Sequence, residues 1–209
     1  MKKIVIIGAG AHSKVIIDIL EEYSEYSIVG LTDVSERKEI LGYPILGDDT
    51  ILKDLHEKGT ADCAFIAIGD NKLRKELFNR VKTLGFEMVN AISCRAIVSK
   101  YSQLGEGVAV MPGAVVNAEA IIGDGTIINT NASVDHDCII GEFVHIAPGS
   151  ALSGITRIGS GCLIGTGTSI IDSISVGNNT IIGAGSVVVN DIRSDCLAYG
   201  VPAREIKKI

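Results

Sequence analysis

The pair His136 and Asp137 has the residue types of a general base and its carboxylate partner. Both lie in the segment 134–138, which reads VDHDC. A neutral imidazole can remove a proton from an attacking amine or hydroxyl, and an adjacent carboxylate can orient the ring and raise its basicity. A histidine flanked by aspartates could also be a solvated surface corner. The catalytic interpretation is favoured, with His136 as the base and Asp137 as its partner.

A second group of residues, near the N-terminus, is typical of a phosphate-binding turn. Gly8 and Gly10 follow a short apolar strand and precede a helix with an apolar stripe. Asp33 follows the second strand, where a dinucleotide-binding fold places its ribose-binding acid. An NAD-dependent oxidoreductase is therefore a rival interpretation. Against this interpretation, Ser13 replaces the third glycine of the G-x-G-x-x-G fingerprint of dinucleotide-binding folds. In addition, about 90 residues are too few for a full dinucleotide domain.

The elements around this turn alternate between strand and helix over residues 1–91. Strands are predicted at residues 4–7, 28–31, 43–45, 63–68 and 86–92, and helices after Gly10, at residues 50–58 and at residues 72–84. This alternation indicates a parallel sheet, so we expect a Rossmann-like α/β domain over residues 1–91.

From residue 92 onward the sequence has a period of six. Every sixth residue from Ile92 to Val188 is aliphatic, and a small or β-branched residue stands two places before each following aliphatic position. Such hexads predict a parallel β-helix with about 18 residues in each triangular coil and about 4.8 Å between coils. We therefore expect an all-β helix over residues 92–209, ending in a C-terminal tail.

The coil length places residues that are 18 apart on the same corner of the prism. Gly154 follows His136 by that distance, so its N–H could reach an oxyanion beside the base, or the glycine could serve the turn alone. His145 belongs to another side, where it could be a ligand contact or a packing residue. One prism cannot enclose a large ligand, whereas three parallel prisms create three equal clefts, so a homotrimer is expected.

Four segments resemble the hexapeptide-repeat acyltransferases, in particular UDP-4-amino-sugar N-acetyltransferases and sialic acid O-acetyltransferases with a nucleotide-binding domain before the helix. The segments are residues 8–14 (GAGAHSK), 67–74 (AIGDNKLR), 129–146 (NTNASVDHDCIIGEFVHI) and 200–203 (GVPA). The resemblance implies a left-handed helix, acetyl-CoA as co-substrate and no metal. The family more often has glutamate at the position of Asp137.

The resemblance also implies roles for further residues. With Gly154, the expected acetyl-CoA contacts are His145, Thr166 and Ala184; the expected nucleotide-sugar contacts are Gly10, Ala11, His12, Thr32, Asp33 and Gly69. The implied reaction moves an acetyl group to the amine of a UDP-4-amino-4,6-dideoxy sugar, for glycan or exopolysaccharide synthesis. O-acetylation of a sialic acid or another sugar hydroxyl is the alternative. A non-catalytic trimeric protein that binds sugar nucleotides is a third.

Bulk composition argues against several other classes of protein. The net charge of -6, with no Lys/Arg cluster beyond a dipeptide, disfavours a nucleic-acid partner. No apolar segment approaches the ~20 residues of a membrane-spanning helix, so no membrane insertion is expected. Five cysteines without a C-x-x-C motif suggest a reducing compartment, with the cytoplasm as the default.

Two of the four histidines lie in the hexads, too few for the three-histidine zinc site of a γ-type carbonic anhydrase. The G-x-G-T-R-L loop that sugar-1-phosphate nucleotidyltransferases need is also absent.

Overall fold

The computed structural model describes all residues, Met1–Ile209, which form two compact units. The N-terminal unit comprises Met1–Ser93 and the C-terminal unit comprises Cys94–Ile209. The sequence placed the boundary after residue 91, close to this division.

The N-terminal unit is an α/β sheet with helices between its strands. Its strands are β1 (Lys2–Ile7), β2 (Tyr26–Thr32), β3 (Glu39–Ile40), β4 (Tyr43–Gly47), β5 (Cys63–Ile66), β6 (Glu87–Met88) and β7 (Ala91–Ile92). Its helices are α1 (Ala11–Glu21), α2 (Leu52–Glu57), which follows a 3-10 turn at Asp49–Ile51, and α3 (Asn71–Thr83).

The order of the strands brings the carboxyl ends of β1, β2 and β5 to one edge of the sheet. The order is β3-β4-β2-β1-β5-β6, and the neighbours are parallel except for β3 and β4. Strands β2 and β5 lie on opposite sides of β1. The order in which the chain adds strands to the sheet therefore reverses at β1. The carboxyl ends of parallel strands beside such a switch are where α/β sheets bind ligands.

Two elements of this unit differ from the prediction. The expected strand at residues 86–92 is split into β6 and β7, since only Glu87 and Met88 pair with β5. Strand β3 lies in a polar segment for which the sequence predicts no strand. It forms a hairpin with β4 because Leu41 and Gly42 both adopt positive φ, a conformation that the polar composition did not reveal.

The C-terminal unit is a parallel β-helix built from two-residue strands. They are β8 (Ile97–Val98), β9 (Gln103–Leu104), β10 (Ala109–Val110), β11 (Val115–Val116), β12 (Ile121–Ile122), β13 (Ile127–Ile128), β14 (Ser133–Val134), β15 (Ile139–Ile140), β16 (His145–Ile146), β17 (Ala151–Leu152), β18 (Arg157–Ile158), β19 (Leu163–Ile164), β20 (Ser169–Ile170), β21 (Ser175–Val176), β22 (Ile181–Ile182) and β23 (Val187–Val188). The second residue of each strand is the aliphatic residue of the hexad, as the periodicity predicts.

Three sheets form the sides of the prism. Face 1 contains β10, β13, β16, β19 and β22; face 2 contains β8, β11, β14, β17, β20 and β23; face 3 contains β9, β12, β15, β18 and β21. Each strand pairs in register with the strand one coil later, as Ile127 does with His145 and Ile121 with Ile139. Residues that are 18 apart therefore stack on each other.

The corners of the prism differ in the residues that adopt positive φ. Between faces 1 and 2 (corner 1-2) they are mostly glycines, namely Gly113, Gly149, Gly167 and Gly185. Between faces 2 and 3 (corner 2-3) all of them carry side chains: Glu119, Asp137, Ile155 and Ser173. A left-handed conformation costs a non-glycine residue about 1–2 kcal/mol. Corner 2-3 therefore keeps its side chains at a conformational cost.

The expected C-terminal tail is instead an ordered hairpin. Strand β24 (Cys196–Gly200) pairs parallel with β22, and β25 (Ala203–Lys208) pairs antiparallel with β24. Cys196 and Ala198 are buried in the prism, which makes this hairpin a continuation of face 1 outside the hexad period.

Candidate active site

His136 and Asp137 lie next to each other at corner 2-3, between β14 and β15. The Nδ1 atom of His136 is 2.8 Å from the Oδ2 atom of Asp137, and the two side chains are 57% and 56% exposed. Because a carboxylate only accepts hydrogen bonds, Nδ1 carries the proton and Nε2 presents its lone pair to solvent. The imidazole therefore has the tautomer that a base acting through Nε2 needs.

The surroundings of His136 increase its basicity. The hydrogen bond to Asp137 is the largest influence and raises the pKa of His136 above its ordinary value, partial desolvation opposes it, and the charges of Asp135 and Asp137 add to the increase. A stronger base accepts a proton from an amine more readily. The same shift requires a higher pH before the ring is neutral.

Gly154 packs directly against the His136 ring from the next coil. A Cβ atom at this position would lie 2.6 Å from Cε1 and 2.8 Å from Nε2 of His136, so the imidazole in this position requires a glycine. The carbonyl of Gly154 accepts a hydrogen bond from Ser173, whereas its N–H donates none within the chain. A backbone donor beside Nε2 is suited to stabilise an oxyanion that forms there.

His145 is half-buried on face 1 and contacts Asn129, a residue that the sequence interpretation did not single out. The Nδ2 atom of Asn129 is 2.9 Å from Nε2 of His145, while the backbone N–H of Thr130 donates to Oδ1 of Asn129 at 2.8 Å. This backbone bond fixes the orientation of the amide, so Nε2 accepts and the proton of His145 is on Nδ1. The hexads could have revealed Asn129, because it lies just before corner 1-2, one coil below Ala147 and close to His145.

Thr166 and Ala184 are exposed and stacked at corner 1-2. The backbone of Gly185 donates to the carbonyl of Thr166 at 2.8 Å, which links the two coils. Small side chains at this corner leave the backbone accessible. His145, Thr166 and Ala184 therefore lie on face 1 and its corner, whereas His136 and Gly154 lie at corner 2-3. One chain does not bring these two groups together.

The N-terminal unit presents a glycine turn at the start of α1. Gly10 is the N-cap of α1 and provides no capping side chain, and Ala11 is exposed beside it. Gly8 adopts a φ of 98°, and a Cβ atom there would lie 2.5 Å from Cδ1 of Ile68. His12 follows on the first turn, half-buried, with its Nε2 atom buried. The free N–H groups at the start of a helix are suited to an anionic group.

Asp33 supports this turn from the end of β2. Its Oδ2 accepts from the N–H of Ala9 at 2.7 Å, and its Oδ1 accepts from the N–H of Ser35 at 2.8 Å. Burial acts to raise the pKa of Asp33, but these hydrogen bonds and the charge of Arg37 outweigh it and lower the pKa. Nη1 of Arg37 also donates to the carbonyl of Ala9 at 3.0 Å, which places a cation that the sequence interpretation missed beside the turn.

Thr32 is the last residue of β2, directly before Asp33, and Gly69 follows β5 at the same edge. Thr32 is fully buried and its hydroxyl donates to Asp49 at 2.6 Å, so its side chain supports the fold of the edge. Gly69 is exposed after β5, and a Cβ atom at this position would meet nothing within 4 Å. Buried Arg74 donates to the carbonyls of Ile68 and Gly69 at 3.0 Å each, and burial lowers its pKa to about 10. Gly10, Ala11, His12, Asp33 and Gly69 therefore surround one edge.

Both units match known families. Residues 3–81 match the PglD N-terminal domain, and residues 119–154 and 155–190 match the bacterial transferase hexapeptide (six repeats). The UDP-N-acetylbacillosamine N-acetyltransferase of Bacillus subtilis (strain 168) is 35% identical over 112 residues, which cover 53% of this chain and 52% of that protein. The chain spans about half the length of the curated relatives it matches.

Two solved structures match along nearly the whole chain. PerB from Caulobacter crescentus, in complex with CoA and GDP-perosamine, is 43% identical, with a TM-score of 0.94 and coverage of 99% of this chain and 98% of that one. The acetyltransferase domain of PglB from Neisseria gonorrhoeae FA1090, in complex with acetyl coenzyme A, is 36% identical, with a TM-score of 0.91 and coverage of 98% and 99%.

These similarities confirm the predicted fold class, a Rossmann-like α/β domain followed by a left-handed parallel β-helix. None of the helices combines the length and the apolar content that crossing a bilayer requires. By its two domain matches and its end-to-end similarity to PerB and PglB, the chain belongs to the hexapeptide-repeat acetyltransferases that carry a PglD-type N-terminal domain.

Proposed function

We propose that this protein transfers the acetyl group of acetyl-CoA to the amine of a sugar carried on a nucleoside diphosphate. The observation that carries this proposal is the arrangement at corner 2-3. Nδ1 of His136 is bonded to Asp137, Nε2 faces outward, and the N–H of Gly154 is available in the next coil. Family membership supplies the acetyl donor, and the relative from Bacillus subtilis named above is an N-acetyltransferase.

The residues of corner 2-3 account for each proton and charge in the transfer. The amine nitrogen attacks the thioester carbonyl carbon while Nε2 of His136 removes a proton from that nitrogen. The carbonyl oxygen becomes an oxyanion and accepts a hydrogen bond from the N–H of Gly154. When the C–S bond breaks, the CoA thiolate takes the proton from the imidazolium. The products are the N-acetylated sugar nucleotide and CoA with a free thiol.

The two units divide the substrates between them in this proposal. The nucleotide sugar is held by Gly10, Ala11, His12, Asp33 and Gly69, with Thr32 as support, because these residues line one edge of the α/β sheet. The CoA arm follows the small residues Thr166 and Ala184, and His145 contacts the thioester end. Arg37 adds a cation beside the turn that receives the phosphates.

Two nucleotides are favoured by different similarities. The family resemblance implied a UDP-4-amino-4,6-dideoxy sugar, and the curated relative from Bacillus subtilis is named for a UDP-linked substrate. PerB, which is more similar and matches end to end, binds GDP-perosamine. We therefore place a GDP-linked amino sugar first and a UDP-linked one second. Both substrates and acetyl-CoA are cytoplasmic metabolites, so we infer that the reaction takes place in the cytoplasm and supplies glycan or exopolysaccharide synthesis.

We also propose a homotrimer as the active form. His136 and Gly154 lie at corner 2-3, whereas His145, Thr166 and Ala184 lie on face 1 and corner 1-2 of the same chain. A cyclic trimer of parallel prisms can set corner 2-3 of one subunit against face 1 of the next. Each of three equal clefts would then contain both groups.

The proposed reaction is tested by mixing the purified protein with acetyl-CoA and a matched panel of nucleotide sugars. The panel contains GDP- and UDP-linked amino sugars and their hydroxyl counterparts, and the readouts are release of the CoA thiol and acetylation of the product by mass spectrometry. We expect turnover with an amino sugar and none with its hydroxyl counterpart. Turnover confined to the hydroxyl compounds would establish O-acetylation, and binding of sugar nucleotides without thiol release would leave the non-catalytic alternative.

A further inference from the structure

A second carboxylate, that of Asp135, holds His136 from its backbone side. Oδ1 of Asp135 accepts a hydrogen bond from the backbone N–H of His136 at 2.8 Å and another from Nδ2 of Asn117 at 2.8 Å. Asn117 lies one coil earlier at the matching position of corner 2-3. The Asn117 side chain thus holds the Asp135 carboxylate, and this carboxylate in turn holds the backbone of the turn at His136.

This contact keeps a negative charge beside the imidazole. The hydrogen bonds from the His136 N–H and from Asn117 lower the pKa of Asp135, so its carboxyl is ionised at neutral pH. The charge of Asp135 and that of Asp137 both act to raise the pKa of His136. The other charged side chains at corner 2-3 are Glu119 one coil before, Asp172 two coils after, and Lys100 and Asp191 nearer the two ends of the prism.

We propose that Asp135 is a positioning residue for His136 and that Asn117 fixes Asp135 in place. This inference rests on the proposed function, in which His136 is the base. The two aspartates then have separate tasks: Asp137 orients the ring through Nδ1, and Asp135 fixes the turn from which the ring projects. Asp135 also faces the positive charge that His136 acquires when it takes the proton of the amine.

The chain contains a chemically matched link that faces no histidine. Nδ2 of Asn179 donates to Oδ1 of Asp195 at 3.0 Å at the corner between faces 3 and 1. This pair also joins two successive coils, so its removal gives an upper limit for what such a link contributes to the fold, since Asn179 also adopts a φ of 53° that alanine tolerates less well. The variant Asn179→Ala is therefore the control for Asn117→Ala.

The test combines an NMR titration of the histidine rings with steady-state kinetics. The ring signal of His136 is identified by its loss in His136→Gln, and the variants are Asp135→Asn, Asp135→Ala, Asn117→Ala and Asn179→Ala. Asparagine at position 135 can keep both hydrogen bonds but removes the charge, whereas alanine removes both. We expect both Asp135 variants to lower the pKa of His136 and to move the acid limb of kcat to lower pH. Asp135→Ala should also lower kcat about tenfold with an unchanged KM for acetyl-CoA.

Asn117→Ala should lower kcat in the same direction by a smaller factor, and Asn179→Ala should leave both kcat and the His136 titration as in the wild type. The inference is overturned if Asp135→Ala keeps the wild-type titration and kcat. It is also overturned if all four variants lose activity only in proportion to their loss of thermal stability. If the wild type transfers no acetyl group but the titration shifts as expected, the proposed function fails while the positioning of His136 stands.

Discussion

Proton transfer in the proposed reaction needs a neutral His136, and Asp137 affects the pH at which this condition is met. The hydrogen bond to Asp137 is the main reason why the pKa of His136 is raised. Asp137→Asn removes the charge of the acceptor, so the pKa of His136 should fall towards its ordinary value. The neutral base then persists to lower pH, and the acid limb of kcat should move to lower pH. The maximal kcat should fall about tenfold, against ~100-fold or more for His136→Ala.

The measurement is kcat as a function of pH between about pH 5 and pH 9, the range in which imidazoles titrate. The KM for acetyl-CoA serves as the control, because Asp137 is assigned no part in CoA binding. An unchanged acid limb in Asp137→Asn would mean that the contact between Asp137 and His136 does not tune the base.

Gly154 allows a test of whether its contact with His136 is catalytic or structural. Its backbone has an ordinary φ, so alanine is acceptable to the chain, but the added Cβ would lie 2.6 Å from Cε1 of His136. The exposed ring can swing out to relieve this overlap. Gly154→Ala should therefore leave the melting temperature nearly unchanged and lower kcat at least about tenfold, since the base is displaced.

Gly141→Ala is the contrasting variant, because its added methyl group would meet the backbone of Ser160 at 2.6 Å and cannot be relieved by a side chain. It should lower the free energy of unfolding by about 1–3 kcal/mol. In a His136→Ala background, adding Gly154→Ala should cost no further activity. A full additional loss there would show that Gly154 acts independently of the ring.

Among the elements, the strands of the β-helix could be predicted because the hexad is a local signal that repeats. Each aliphatic position from Val98 to Val188 became the second residue of a two-residue strand. The stacking of Gly154 on His136 followed from the same period. The C-terminal hairpin lies outside the hexads, so periodicity gave no sign of it.

Hydrogen bonds between side chains of different coils were the part that the sequence could not show. Asn129 contacts His145, and Asn117 contacts Asp135, although 16 and 18 residues separate the partners. The period places such residues on neighbouring coils, but which amide meets which partner depends on rotamers. Likewise, Asp33 was expected to contact the nucleotide sugar, and its bonds to Ala9 and Ser35 depend on how two loops approach each other.

The edge of the α/β sheet leads to a prediction about Asp33. Asp33→Ala leaves the N–H groups of Ala9 and Ser35 without their acceptor and loosens the turn assigned to the nucleotide sugar. We expect weaker binding of the nucleotide sugar by about 1.5–3 kcal/mol and an unchanged Kd for acetyl-CoA, both measured by calorimetry. Asp62 is the matched control, because its carboxylate accepts from the N–H of Lys3 at the opposite end of β1.

Asp62→Ala should leave both affinities unchanged. If Asp33→Ala weakened both ligands equally, the N-terminal unit would not provide the sugar site, which would lie elsewhere.

For the whole molecule, the position of the site residues on the prism is the main argument for assembly. His136 lies at corner 2-3 and His145 on face 1, and no rearrangement within a regular prism brings these positions together. Exposed aliphatic side chains on the outside of the helix, such as Ile97, Ile121 and Ile155, are consistent with packing against other copies. The proposed site is therefore complete only if adjacent subunits share it.

Subunit mixing tests this arrangement directly. His136→Ala and His145→Ala homotrimers should each have low activity, because every cleft lacks one histidine. When the two variants are unfolded and refolded together, a cleft is intact if its corner comes from a His145→Ala chain and its face from a His136→Ala chain. Each choice has an even chance, so about a quarter of the clefts should be wild-type and about a quarter of the wild-type kcat should return.

The control is a mixture of His136→Ala with Asp137→Asn, two changes at the same corner, which should restore nothing beyond the average of the two homotrimers. Sedimentation should show trimers in every sample. A first mixture that recovers no activity while forming trimers would place both histidines in the site of a single chain or remove His145 from the reaction.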